Sequence, residues 1–123
     1  MAAEDFEDDP EIGDDWTVWR RIPPYHVVAD GQGGHRPSSA AFEDDPRGGP
    51  MSVIIVEKGA DKARALAGHD GFTLVAIRVG LLRQLGQKVV HDPLNEEPAH
   101  GLVVGEKHKK RFCKAVAVAA TWV

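Results

Sequence analysis

From Gly31 to Ser39 the chain reads Gly-Gln-Gly-Gly-His-Arg-Pro-Ser-Ser, residue types from which oxyanion sites are built. Glycines let backbone N–H groups approach a ligand, a guanidinium offers a charged fork, and hydroxyls add neutral donors. Gly33, Gly34, Arg36, Ser38 and Ser39 are therefore the candidate ligand-binding residues, together with His26 just upstream. The spacing is not that of a P-loop, because no Gly-Lys-Ser/Thr follows, nor does the segment open a helix as a dinucleotide fingerprint does. It lies within a polar stretch, Asp30 to Pro50, between two apolar runs, Tyr25–Val28 and Met51–Val56. A loop of that length in a compact domain is usually functional or disordered, and its donor-rich composition argues for function.

Proton transfer near neutral pH points to histidine. Of the six histidines, His35 lies in the glycine-rich segment, while His91 and His100 flank the polar connection Asp92–Ala99. If the strands on either side of that connection pair, the last two meet across it, so His35, His91 and His100 are the candidate catalytic residues. There is no His-Glu-x-x-His, and the single Cys113 has no partner at zinc-finger spacing. No metal and no cofactor are expected. The only serines, Ser38, Ser39 and Ser52, lie outside any Gly-x-Ser-x-Gly elbow, so the sequence offers no marked nucleophile. Cys113 falls on or beside an apolar stripe and reads as structural.

These residues must be positioned by a chain of 123 residues that is 42% hydrophobic and 28% charged, the size and balance of one globular domain. Residues 1–15 hold eight acidic side chains and no basic one, leaving 11 acids against 15 basic residues in 16–123. This reads as an acidic disordered tail on a mildly basic domain. Phe6-Glu-Asp-Asp-Pro10 recurs as Phe42-Glu-Asp-Asp-Pro46, so the tail copy is a candidate to occupy, in cis or in a second molecule, a surface that recognises the loop copy. The N-terminus lacks a signal-peptide pattern and no run is long enough to span a bilayer, so a cytoplasmic location with no membrane contact is expected.

Strand signals fall at Trp16–Ile22, Tyr25–Val28, Met51–Glu57, Phe72–Val79, Lys88–His91 and Gly101–Gly105. Helical spacing appears over Gly59–Ala67, around Leu81–Leu85, and over Glu106–Trp122, where Phe112, Ala115, Val116, Ala119 and Trp122 share a face. The order predicts an α+β fold: a small single domain, 16–123, with a mixed β-sheet, helices packed on it and a long C-terminal helix. Lys107, Lys110, Arg111 and Lys114 crowd the start of that helix against its dipole, as a patch serving an anionic partner would. A pI near 5.8 argues against a dedicated nucleic-acid binder.

An arginine on the first strand (Arg20 or Arg21), a Gly34-His-Arg36 turn, a buried strand and a short helix loosely resemble the order in RES-type ADP-ribosyltransferase-like toxins. The likeness covers residues 20–67 and implies a nucleotide-like substrate. Beside a structural subunit of a larger assembly, two functional readings stand. In the first, a ligand- or protein-binding domain uses loop 30–50 as its recognition surface, tuned by the acidic tail. In the second, an enzyme acts on an anionic or nucleotide-like substrate, with loop 31–39 holding the anion and a histidine as acid or base. Convergence of the loop with a histidine in one pocket separates them.

Overall fold

The computed structural model describes residues 5–123. Six strands form one sheet in the order β6-β7-β4-β1-β5-β8: β1 Thr17–Ile22, β4 Met51–Ile55, β5 Thr73–Arg78, β6 Lys88–His91, β7 His100–Val104 and β8 Thr121–Trp122. A separate hairpin pairs β2, Val27–Ala29, with β3, His35–Pro37. Three helices complete the α+β fold: α1 Lys62–Leu66, α2 Val79–Gln84 and α3 Lys114–Ala119.

Every strand pair is antiparallel, where a mixed sheet was expected. The alternation of strands and helices did predict a parallel relation, and β4 and β5 do run the same way across α1. However, β1 lies between them, antiparallel to both, so no parallel pair forms among the described residues.

Strand alternation divides the sheet into two unlike faces. Val18 and Ile22 of β1 join Met51, Val53 and Ile55 of β4 and Val75 and Ile77 of β5 in the main core, covered by Phe42, Phe112, Val116 and the α2 residues Val79 and Leu82. The other face carries a smaller cluster of Ile54, Leu74, Ala65 and Ala99, with Trp19 against it. Ala65 and Leu66 of α1 and Ala99 of the 92–99 connection cover part of that face, and clefts lie beside them.

The C-terminal helix is shorter than the expected Glu106–Trp122. It begins with a widened turn, Lys109–Cys113, in which the N–H groups of both Phe112 and Cys113 donate to the His108 carbonyl, and it ends at Ala119. Trp122 leaves the helix to pair with Val75 at the sheet edge, so the buried stripe is Phe112, Cys113, Val116 and Ala117. The wide turn explains the offset, since one extra residue rotates the later helix about its axis.

Residues 1–4 lie outside the described residues, but from Phe6 onward the acidic segment packs on the domain. Ile12 is 1% exposed within the core, Asp9 N–H donates to the Val89 carbonyl, and Arg83 pairs with both Asp8 and Asp14. The disordered tail expected from composition is thus corrected over residues 6–15, because one buried isoleucine and a shared arginine outweigh the acidic self-repulsion. Among the described residues no helix is long and apolar enough to cross a membrane.

Candidate active site

Ser52 and His100 come together through strand register. On the β4–β7 pair Ser52 stands opposite Leu102 and Ile54 opposite His100, so Ser52 and His100 are diagonal neighbours on one face. Their side chains meet with Ser52 Oγ 3.1 Å from His100 Nε2. The other ring nitrogen, Nδ1, lies 2.8 Å from the Asp92 main-chain carbonyl and 3.2 Å from Asp92 Oδ2. A carbonyl oxygen only accepts, so in the neutral ring the proton sits on Nδ1 and Nε2 is left as the acceptor. Ser52 therefore donates its hydroxyl proton to His100, the arrangement a serine needs to become a nucleophile.

The strand on the other side of Ser52 opens the site. β1 pairs with β4 only at Val18↔Ile55 and Trp19↔Ile54, although it stays paired with β5 along its whole length. Continuing the lost register would set Arg21 opposite Ser52, on the same face. Arg20, on the core face, bridges the gap: its Nη1 donates to the Ser52 carbonyl at 2.7 Å and its Nε to the Ala41 carbonyl at 2.9 Å. Burial lowers the Arg20 pKa to about 10, against opposing help from Asp44 and Asp45.

Two clefts meet at this gap. One, of about 320 Å³, is lined by Arg21, Ser52, Arg64, His69, Glu97 and His100, among others. The second, of about 500 Å³, shares Arg21 and Ser52 and adds Arg20, Tyr25, His26, Phe72 and the stretch Glu43–Arg47. In the first cleft Arg64 Nε donates to Glu97 Oε2 at 2.9 Å, and Glu97 is buried. Burial lowers the pKa of Arg21, which the Glu97 carboxylate partly offsets, and burial together with Arg21 lowers that of His69.

The residues singled out from the sequence divide sharply. His100 is in the site. His91 pairs with Gly101 on the neighbouring strand but donates from Nε2 to the Pro98 carbonyl at 2.9 Å, so the two histidines clamp opposite ends of one connection rather than meet. His26 lines the larger cleft, stacked edge-on against Tyr25. His35, Gly33, Gly34 and Arg36 lie in the β2–β3 hairpin, whose turn is tied by Asp30 Oδ1 accepting from Gln32 and Gly34 N–H. Gly31 and Gly33 hold φ of +82° and +87° there, the left-handed conformation that glycine supplies. Ser38 caps the turn at Ser39–Phe42 by accepting from Ala40 N–H. The first half of loop 30–50 thus makes a hairpin and a cap, and its second half, Ala40–Arg47, walls the larger cleft with His26. Of the basic patch, Lys107 is 5% exposed and paired with Asp44 at 2.9 Å, while Lys110, Arg111 and Lys114 are exposed.

Ser52 was missed because nothing in Met51-Ser-Val-Ile-Ile marks it beyond being the one polar residue of an apolar strand. That pattern shows a side chain facing away from the core. Its histidine came from a register that no local signal carries.

No protein-family model, no curated protein and no solved structure matches the chain.

Proposed function

We propose that this protein is a small serine-nucleophile enzyme that hydrolyses, or transfers the acyl group of, an ester. The observation that supports it is the Asp92–His100–Ser52 chain of hydrogen bonds opening into a cleft. Ser52 Oγ attacks the carbonyl carbon as its proton passes to His100 Nε2. The tetrahedral adduct collapses when the same nitrogen returns the proton to the departing alkoxide oxygen. Water, deprotonated by His100, then attacks the acyl-serine, and Ser52 Oγ leaves with that proton. Asp92 keeps the Nδ1 proton in place and faces the positive charge that develops on the ring. Proximity and the fixed tautomer supply the rate advantage, and general-base help of this kind contributes about 10²- to 10⁴-fold.

The test is covalent. A small fluorophosphonate should add to one residue, and peptide mass analysis should place it on Ser52. His100→Ala should slow the labelling by about 10²-fold or more. Labelling spread over Ser38, Ser39 and Ser52, or indifferent to His100, would return the pair to an ordinary hydrogen bond on a sheet.

A further inference from the structure

Four arginines line the two clefts, and three are engaged through at least two of their nitrogens. Arg20 binds three carbonyls, Arg47 binds Asp45 through Nε and Nη2, and Arg64 binds Glu97 and the Gly59 carbonyl. Arg21 differs. Its Nε donates to the Ala65 carbonyl, and neither terminal nitrogen has a hydrogen-bond or ion-pair partner among the described residues. It is half-buried and lies where the clefts join, beside the serine. His69 lines the same cleft, its ring held against Phe72 with centroids 5.1 Å apart, and its ring nitrogens likewise have no partner among the described residues. A guanidinium fork and an imidazole N–H facing one cavity form a receptor for an oxyanion.

We propose that the Ser52 cleft takes esters carrying a carboxylate or phosphate group, which is clamped between the Arg21 guanidinium and the His69 ring. The proposal rests on the reading of Ser52 as nucleophile and names its substrate class. The charged groups sharing the cleft with His69 are Arg21, Arg64, Glu96 and Glu97, with His100 beyond them. Arg64 forms the direct ion pair with the buried Glu97, whose carboxylate acts on Arg21 only through space, so the terminal nitrogens of Arg21 are the charged donors left for a ligand. Its field also holds the His69 pKa down, and an anion bound between the two reverses that effect.

The experiment is a titration of the full chain with inorganic phosphate and, separately, with propionate, following the ring resonances of His69 and the Nε–H of Arg21 by NMR. Saturable shifts at both, with the His69 titration moving to higher pH and His91 unmoved, are expected for at least one anion, and the stronger response identifies the class. Arg21→Gln and His69→Asn should each weaken binding roughly tenfold. Unmoved His69 resonances with both anions, or equal shifts in a folded Arg21→Gln, would overturn the clamp. Fluorophosphonate labelling of Ser52 in the wild-type chain separates the two ideas, because the neutral probe reports the nucleophile and not the anion site. Labelling of Ser52 together with anion shifts that Arg21→Gln abolishes supports both, labelling without anion shifts removes the clamp alone, and anion shifts without any labelling of Ser52 leave an anion site and remove the enzyme.

Discussion

His100 is held by two oxygens of one residue, and the two are unequal. The Asp92 carbonyl is the nearer to Nδ1, at 2.8 Å, and belongs to the main chain, while Oδ2 stands at 3.2 Å on a side chain that is 48% exposed. The main-chain bond alone is enough to fix the tautomer, so the carboxylate adds charge rather than orientation. An exposed carboxylate is screened by water, and its electrostatic help is correspondingly modest. Asp92→Asn should therefore slow fluorophosphonate labelling of Ser52 by no more than about tenfold, against about 10²-fold or more for His100→Ala. Comparable losses in the two variants would mean that the side chain, not the carbonyl, holds the ring.

At the scale of elements, the repeated Phe-Glu-Asp-Asp-Pro is a repeated conformation. In each copy the first aspartate accepts from the N–H of a strand residue, Val89 for Asp8 and Met51 for Asp44, and pairs with a cation, Arg83 or Lys107. The second aspartate in each accepts from the N–H two residues on, at Glu11 and Arg47, and its carbonyl takes the N–H three residues on. Short-range hydrogen bonding of this kind is what aspartate offers a turn. The copies differ in burial: Lys107 is 5% exposed and Arg83 21%. Either change leaves a strand amide without its acceptor, but Asp44→Ala also takes the carboxylate from a buried ammonium that keeps only the Val103 and Gly105 carbonyls, so it should cost about 3 kcal/mol, whereas Asp8→Ala, with Asp14 still on the more exposed Arg83, should cost about 1 to 2 kcal/mol. Urea denaturation of the two variants measures the difference, and equal costs would contradict the buried pair. The strands themselves were legible: Lys88–His91 is found as expected, and β1, β4, β5 and β7 start or end within a residue or two of their apolar runs. What could not be read was pairing. That Arg21 would face Ser52 across a parted β1–β4 edge, or that His100 would sit diagonal to Ser52, depends on register between segments some 30 to 50 residues apart.

For the molecule as a whole, the acidic N-terminal segment changes from an appendage to a part of the fold. Its eight acids in residues 1–15 give it the composition of a solvated tail, yet Ile12 is as buried as the residues of the central strands. Lys88 Nζ donates to the Phe6 carbonyl at 2.8 Å, and Arg83 Nη2 to that of Asp9 at 2.9 Å, so the segment is fastened to both α2 and β6. Ile12 lies in the main core, on the face opposite Ser52 and His100, and Lys88, though its register puts it on their face, is on the edge strand β6, beyond β7. Removing residues 1–12 should accordingly lower stability by about 3 to 5 kcal/mol, the range for losing a fully buried isoleucine with its hydrogen bonds. In the temperature range where the shortened chain stays folded, Ser52 should label at the rate of the full chain. Differential scanning calorimetry with labelling on the same samples reads both quantities. An unchanged melting temperature would make the acidic segment the solvated tail its composition describes. A faster labelling rate at unchanged stability would instead mean that the segment covers the cleft.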